Sequence, residues 1–215
     1  MRKTFILIFV LTVVASAQRA IVVDNDDVRI PKVTVQPGHK TRMHQHLQNR
    51  VMVYLNPGGQ KTVYEDGREV IEHWKAGEPL WSPMAGNHTV EITGQEPITI
   101  VEVELKKPSG DAPPLSNLDP VKVDPKHYTV DFENDQVRVV RVRIGPHEST
   151  PMHEHVGKRV AVFFTAQNFR AIAADGASAM ATNEAGAVIW GEGPRRHKEE
   201  NLSDEPFEAL MVELK

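Results

Sequence analysis

The sequence contains no cysteine, which excludes disulfide bonds, thiolate metal sites and cysteine nucleophiles. Any metal that this chain binds must therefore be held by imidazole or carboxylate groups. The chain also lacks a block of basic residues and carries a net charge of −4, so nucleic acid is not an expected partner. A Ser-His-Asp nucleophile signature and a glycine-rich phosphate loop are both absent from the sequence.

A long apolar run occurs only at the N-terminus. Arg2 and Lys3 precede residues 5–14, which are apolar except for one threonine, and Ala15-Ser16-Ala17 follows as a small-residue cleavage site. This order is typical of a secretory signal peptide, and it predicts that residues 1–17 are removed to leave Gln18 first. We therefore expect a periplasmic or secreted protein without stable membrane insertion after cleavage. The alternative is an uncleaved anchor, for which the apolar run is short.

A histidine-containing tetrapeptide occurs twice. Met43-His44-Gln45-His46 recurs 109 positions later as Met152-His153-Glu154-His155. A third histidine follows each pair at the same offset, His88 in the first copy and His197 in the second. Histidines at i and i+2 on a strand point to the same face, so both imidazoles of a pair would enter one cavity if that face lined a barrel.

The repeat extends over most of the chain. An offset of 109 aligns residues 23–106 with 132–215 without a gap and gives about 26 identities in the 84 pairs, against roughly one in sixteen expected by chance. The sequence therefore predicts an internal duplication with domains at 19–107 and 126–215. Residues 108–125 between them are rich in proline and predict an extended linker.

Each copy has the pattern of an all-β domain. Residues 62–65 and 68–73 flank Asp66-Gly67, which is a strong hairpin signal. Residues 171–187 are rich in alanine and resemble a helix in composition. Their counterpart in the first copy is a hairpin, and Asp175-Gly176 lies at the corresponding turn, so we predict strands here as well. Many short strands at short spacing favour a jelly roll or small barrel.

The spaced glycines and histidines resemble the cupin superfamily in its two-domain, bicupin form. Gly38, five residues and then His44-Gln45-His46 resemble the first half of the first cupin motif. Gly77, five residues, Pro83, Gly86 and His88 resemble the second motif, with the last glycine one place late. In the second copy, His197 and Asn201 match the end of that motif, whereas His147 and Glu192 replace a motif glycine and the proline. The resemblance implies two tandem jelly-roll barrels over nearly all of the mature chain.

One departure from the cupin pattern affects the metal site that the resemblance implies. The glutamate that commonly binds the metal in the first motif is replaced by Arg50, and by Arg159 in the second copy. A guanidinium stays protonated and cannot be a ligand, so the usual set is reduced to three histidines. The predicted ligands are His44, His46 and His88 in the first copy and His153, His155 and His197 in the second.

Three imidazoles suit Fe, Mn, Ni, Cu or Zn and leave positions open for other ligands. Since no carboxylate neutralises the metal, an anionic small molecule is the expected ligand, and Arg50 or Arg159 would hold its carboxylate. Tyr54 and Trp81 are the predicted pocket walls. Some cupin dioxygenases use three-histidine iron, so the resemblance implies an oxidoreductase acting on a small organic acid.

Three alternatives remain open at this stage. In the first, the histidines are interior hydrogen-bonding groups without a metal. In the second, the protein is a non-catalytic module that binds a sugar or an anion. The third alternative is a metal-free isomerase or epimerase with a histidine base and Tyr54 as acid, although Phe163 replaces this tyrosine in the second copy. The remaining histidines, His39, His73, His127 and His147, are predicted to lie on the surface.

Overall fold

The protein is described by a computed structural model that covers residues 17–110 and 113–215. The predicted signal peptide lies outside these residues, except for Ala17. The described chain is almost entirely β-structure, which confirms the predicted fold class. The strands of the first half are β1 Ala17–Asp24, β2 Val28–Val35, β3 His44–His46, β4 Arg50–Tyr54, β5 Gly58–Tyr64, β6 Glu69–Trp74, β7 Pro79–Ser82, β8 Ala85–Ile92 and β9 Ile98–Leu105.

A short helix, α1 Pro120–Val123, precedes the strands of the second half. These strands are β10 Tyr128–Glu133, β11 Val137–Ile144, β12 His153–His155, β13 Arg159–Phe163, β14 Gln167–Ala173, β15 Ser178–Asn183, β16 Val188–Gly191, β17 Arg195–Asn201 and β18 Phe207–Leu214. The alanine-rich segment therefore forms the paired strands β14 and β15, as predicted.

The strands form four antiparallel sheets. In the first half, a five-stranded sheet has the order β1-β2-β9-β4-β7 and a four-stranded sheet has the order β3-β8-β5-β6. The second half has the same two arrangements, β10-β11-β18-β13-β16 and β12-β17-β14-β15. In both halves the histidine pair lies on the edge strand of the four-stranded sheet, next to the strand that carries the third histidine.

The five-stranded sheets are buried on both faces. On β9, Ile98 and Ile100 belong to a cluster inside the first half, whereas Val101, Val103 and Leu105 belong to another cluster. The hydrophobic cluster that contains Val101 also includes Val139, Leu210 and Val212 of the other half, so the two five-stranded sheets pack against each other. Burial on both faces explains why β4 is apolar at every position except Arg50.

The first-motif glycine position has the same backbone conformation in both halves. Gly38 has a φ of 68°, and His147 at the equivalent position has a φ of 57°. A left-handed conformation is uncommon for a residue other than glycine, although histidine is among those that adopt it. The turn geometry is therefore kept even where the motif residue is replaced.

A glycine-to-alanine substitution tests the hairpin turn between β5 and β6. Gly67 has a φ of 83°, and a Cβ added there meets no atom within 4 Å, so Gly67→Ala introduces backbone strain without a clash. We expect it to lower the free energy of unfolding by about 1 kcal/mol. Gly94→Ala is the control, because Gly94 also has open space but lies outside the left-handed region. Urea denaturation that shows equal stability for the two variants would contradict this assignment.

The linker departs from the predicted extended form. Asp119 caps α1 through the Lys122 amide, and Pro120 occupies the first turn, where its missing N–H is not needed. Arg138 donates from both terminal nitrogens to the Asp119 carboxylate at 2.6 and 3.0 Å, which anchors the helix to β11.

No helix in the described residues is long and apolar enough to span a membrane.

The prediction of a surface position was wrong for His127. This imidazole is 6% exposed because it lies between two carboxylates. Its Nδ1 is 2.7 Å from Asp124, and its Nε2 is 2.9 Å from Glu148. His73 and His147 are exposed, and His39 is half-buried.

Candidate metal centres

The first cluster consists of His44, His46 and His88. His44 pairs directly with His88 across β3 and β8, and His46 lies on the same face of β3 two residues later. The ring centroids are 4.6–5.2 Å apart, and one ring nitrogen of each residue lies within 4.8 Å of the other two. The convergence that the i, i+2 spacing predicts is therefore present in the structure.

The second cluster consists of His153, His155 and His197 and is more deeply buried. His153 pairs with His197 across β12 and β17, and the centroids are 4.6–5.5 Å apart. The three residues are 0%, 3% and 3% exposed, whereas His44 and His46 are only half-buried. This difference in burial separates two clusters of otherwise similar geometry.

The linker contacts the strand that carries two of these histidines. The backbone amide of Glu154, between the two histidines of β12, donates to the Leu118 carbonyl at 2.8 Å. The Glu154 carboxylate accepts from the Ser116 hydroxyl at 2.5 Å. Residues 116–118 therefore lie along the edge of β12.

Acceptors at Nδ1 orient most of the imidazoles. In the first cluster, His44 Nδ1 is 2.9 Å from the Arg42 carbonyl and His88 Nδ1 is 2.7 Å from the Gly86 carbonyl. In the second, His153 Nδ1 is 3.0 Å from the Pro151 carbonyl. A carbonyl oxygen only accepts, so Nδ1 carries the proton and Nε2 keeps its lone pair for a metal.

Two further features support a metal at the second cluster. His155 Nδ1 lies 3.3 Å from the Glu213 carboxylate, which is a common partner for a metal-binding imidazole. Both nitrogens of His197 are buried and have no hydrogen-bond partner. Since a buried polar group without a partner is costly, a metal that takes the His197 lone pair would satisfy one of these two nitrogens. The donor set therefore fits a first-row divalent transition metal.

The two arginines at the motif glutamate position have different surroundings. Arg50 is 8% exposed, and its Nη1 donates to His46 Nδ1 at 2.5 Å. Arg159 instead donates to the carbonyls of Gly157 and Gly193, at 3.4 and 3.1 Å. Arg50 thus contacts a predicted ligand directly, whereas Arg159 holds two loops together.

Burial favours the neutral form of four of the imidazoles. Burial lowers the pKa of His46 to about 3, and the Arg50 charge adds to this effect. Burial also lowers the pKa of His153 to about 4, with a further contribution from His155. The pKa values of His88 and His155 are lowered as well, mainly by burial. The neutral form is the one that binds metals.

A cavity of about 560 Å³ opens onto the first cluster. Its lining includes Arg19, Arg42 and Arg50, and also the predicted wall residues Tyr54 and Trp81. Tyr54 is 2% exposed and stacks on Trp74 at 3.9 Å, and burial raises the pKa of its hydroxyl well above the usual value. Such a hydroxyl is a poor proton donor at neutral pH, which weakens the isomerase hypothesis.

Three polar residues at the clusters were not predicted from the sequence. Glu102 on β9 lies 3.4 Å from Arg50 Nη1. Glu199 on β17 lies 3.3 Å from His197 Nε2, and the Tyr128 hydroxyl on β10 lies 3.3 Å from His153 Nε2. The i+2 spacing from His197 was a usable signal for Glu199, because it places both residues on one face of the strand.

The fold is similar to that of several solved structures. AerE from Microcystis aeruginosa matches with a TM-score of 0.69 and 15% identity over 93% of this chain and 92% of that chain. Oxalate decarboxylase from Bacillus subtilis at pH 4.6 matches with a TM-score of 0.62 and 14% identity over 93% and 72%. Another structure of that enzyme, from work on its Mn(II) centres, gives a TM-score of 0.60 and 12% identity over the same shares.

No family model matches the chain, and the comparison with curated proteins finds no match. At these levels of identity the structural similarities show the fold alone. They support the predicted all-β jelly-roll fold.

Proposed function

We propose that this chain is a secreted, metal-binding bicupin with domains at 19–107 and 126–215, and that it is an oxidoreductase acting on a small organic acid. The buried cluster of His153, His155 and His197 carries the proposal, because both nitrogens of His197 lack a hydrogen-bond partner. The repeated sheet order supports the two-domain division and an internal duplication. A divalent metal would supply Lewis-acid or redox chemistry, with open positions for substrate and oxygen.

The chain's own residues would bind and orient the acid. The arginines that line the first cavity are suited to a carboxylate, since a guanidinium forms two parallel hydrogen bonds with it. The three histidines of the second cluster are at most 3% exposed, and exclusion of water strengthens electrostatic interactions there.

Metal analysis followed by an oxygen assay tests the proposal. Purified protein should contain a stoichiometric divalent transition metal, and at least one acid in a carboxylate panel should cause metal-dependent oxygen consumption. The panel includes oxalate, the substrate named for the structurally similar Bacillus subtilis enzyme, with carbon dioxide release measured in parallel. Metal-free protein that cannot be loaded with Mn²⁺, Fe²⁺ or Zn²⁺ would refute the metal-binding function.

A non-catalytic binding module is the second candidate. The open first cavity and the Arg50–His46 hydrogen bond favour it, because this half already presents a cation where a metal ligand would be expected. Calorimetry would then detect a carboxylate or sugar binding to chelator-treated protein without turnover.

The proposed secretion rests on the N-terminal sequence alone. Protein from the native host should begin near Gln18. N-terminal sequencing that finds Met1 retained would refute it.

A further inference from the structure

The second histidine cluster has a carboxylate at a position that the cupin motif does not provide. Glu199 follows His197 by two residues on β17, so both side chains point to the same face. Its Oε1 lies 3.3 Å from His197 Nε2, without the alignment of a hydrogen bond. Two neighbouring ligands about 2.1 Å from one metal are separated by about 3.0–3.4 Å in octahedral or tetrahedral geometry. The observed distance is that of two adjacent ligands. The ligand atoms that all lie within 4.8 Å of one another are those of the three histidines, so a metal bound to all four residues requires the Glu199 carboxylate to turn toward the imidazoles.

The other contacts of Glu199 do not neutralise it. Its second oxygen lies 3.5 Å from the Tyr128 hydroxyl, and its side chain is 16% exposed. Among the described residues, its ion pairs within 4.0 Å involve His197 alone. Arg159 also interacts with this mostly buried carboxylate, but only from beyond ion-pair distance, and a divalent metal would add a cation in direct contact with it.

The motif position cannot provide the carboxylate in this half. Arg159 occupies it and is held by the Gly157 and Gly193 carbonyls. In the first half, Val90 aligns with Glu199, so the off-motif carboxylate belongs to the second half only.

We infer that Glu199 is a fourth protein ligand of the divalent metal at His153, His155 and His197. This inference rests on the proposed metal centre. It gives the second centre three nitrogen ligands and one oxygen ligand, although its first motif has lost the glutamate. The carboxylate reduces the net charge of the bound metal, so the second centre needs an anionic co-ligand less than the first.

Calorimetric titration with Mn²⁺ tests the inference in a full-length protein that carries His44→Ala and His46→Ala to disable the first cluster. Glu199→Gln in this background should weaken Mn²⁺ binding by at least about tenfold, because it removes a charged ligand. Glu200→Gln is the matched control, since Glu200 is the next residue, is half-buried and pairs with Arg170 at 3.2 Å. The control should bind Mn²⁺ as the parent does.

The Co²⁺ absorption spectrum gives a second readout that does not depend on activity. Glu199→Gln should change the visible bands through loss of an oxygen ligand, and Glu199→Asp should retain most of the affinity. Unchanged Mn²⁺ affinity and Co²⁺ bands in Glu199→Gln would overturn the inference and leave the metal centre intact. Absence of Mn²⁺ binding in the parent background would instead overturn the proposed metal centre and, with it, this role of Glu199.

Discussion

Replacing His197 by alanine is expected to abolish metal binding at the second cluster. His197 pairs with His153 across β12 and β17, and both of its nitrogens lack a hydrogen-bond partner. Since loss of an outer partner of a ligand already costs 10–100-fold in metal affinity, loss of a ligand should cost more than about 100-fold. Equilibrium dialysis with Zn²⁺ or Mn²⁺ should show one binding site fewer than in the parent protein.

Thermal unfolding provides an independent readout of this substitution. A metal that binds only the folded chain at 100 times its dissociation constant stabilises it by about 2.7 kcal/mol. A chelator should therefore lower the melting temperature of the parent protein much more than that of His197→Ala. His73→Ala is the control, because His73 is exposed on β6 and belongs to neither cluster. Equal metal stoichiometry in the two variants would contradict the assignment.

The Arg50→Glu substitution is expected to raise metal affinity at the first cluster by at least tenfold, or about 1.4 kcal/mol. Arg50 donates to His46 Nδ1 at 2.5 Å, so a neutral His46 carries its proton on Nε2 and has no lone pair there for a metal. A glutamate would reverse this arrangement by accepting from Nδ1–H, as Glu213 does for His155. It would also remove a positive charge that repels the metal.

Activity should change in the opposite direction if Arg50 anchors the substrate carboxylate. Turnover of the acid identified by the oxygen assay should then be lost in Arg50→Glu, while metal occupancy rises. Arg68→Glu carries the same charge change at an exposed position over the Tyr64 ring and should alter neither quantity. Unaltered affinity and unaltered activity in Arg50→Glu would remove both roles of this arginine.

The histidine pairs were predictable because they depend on local spacing, whereas His88 and His197 were predicted from the repeat and the resemblance to the cupin motif. His44 and His46 share a strand face at any register, and the repeat of the same pattern at His153 and His155 made one shared geometry the simplest interpretation. The all-β class and the hairpin around Asp66-Gly67 also follow from short-range signals. The same reasoning could not predict that the two five-stranded sheets pack together, since that contact joins residues far apart in sequence.

The polar surroundings of the clusters were not predictable for a similar reason. Tyr128 reaches His153 from β10, and Glu102 reaches Arg50 from β9, so both contacts depend on how distant strands are placed. The motif aligns Arg50 with Arg159, yet one contacts a histidine and the other contacts loop carbonyls. Side-chain direction at equivalent positions is set by local packing, which sequence spacing does not encode.

Anomalous diffraction at the manganese absorption edge, from crystals grown with Mn²⁺, shows whether the second histidine cluster holds a divalent metal. We expect a peak about 2.1–2.2 Å from one ring nitrogen each of His153, His155 and His197. A map with no anomalous peak at this position, in crystals where these imidazoles hydrogen-bond only to protein or water, would contradict the presence of a metal there.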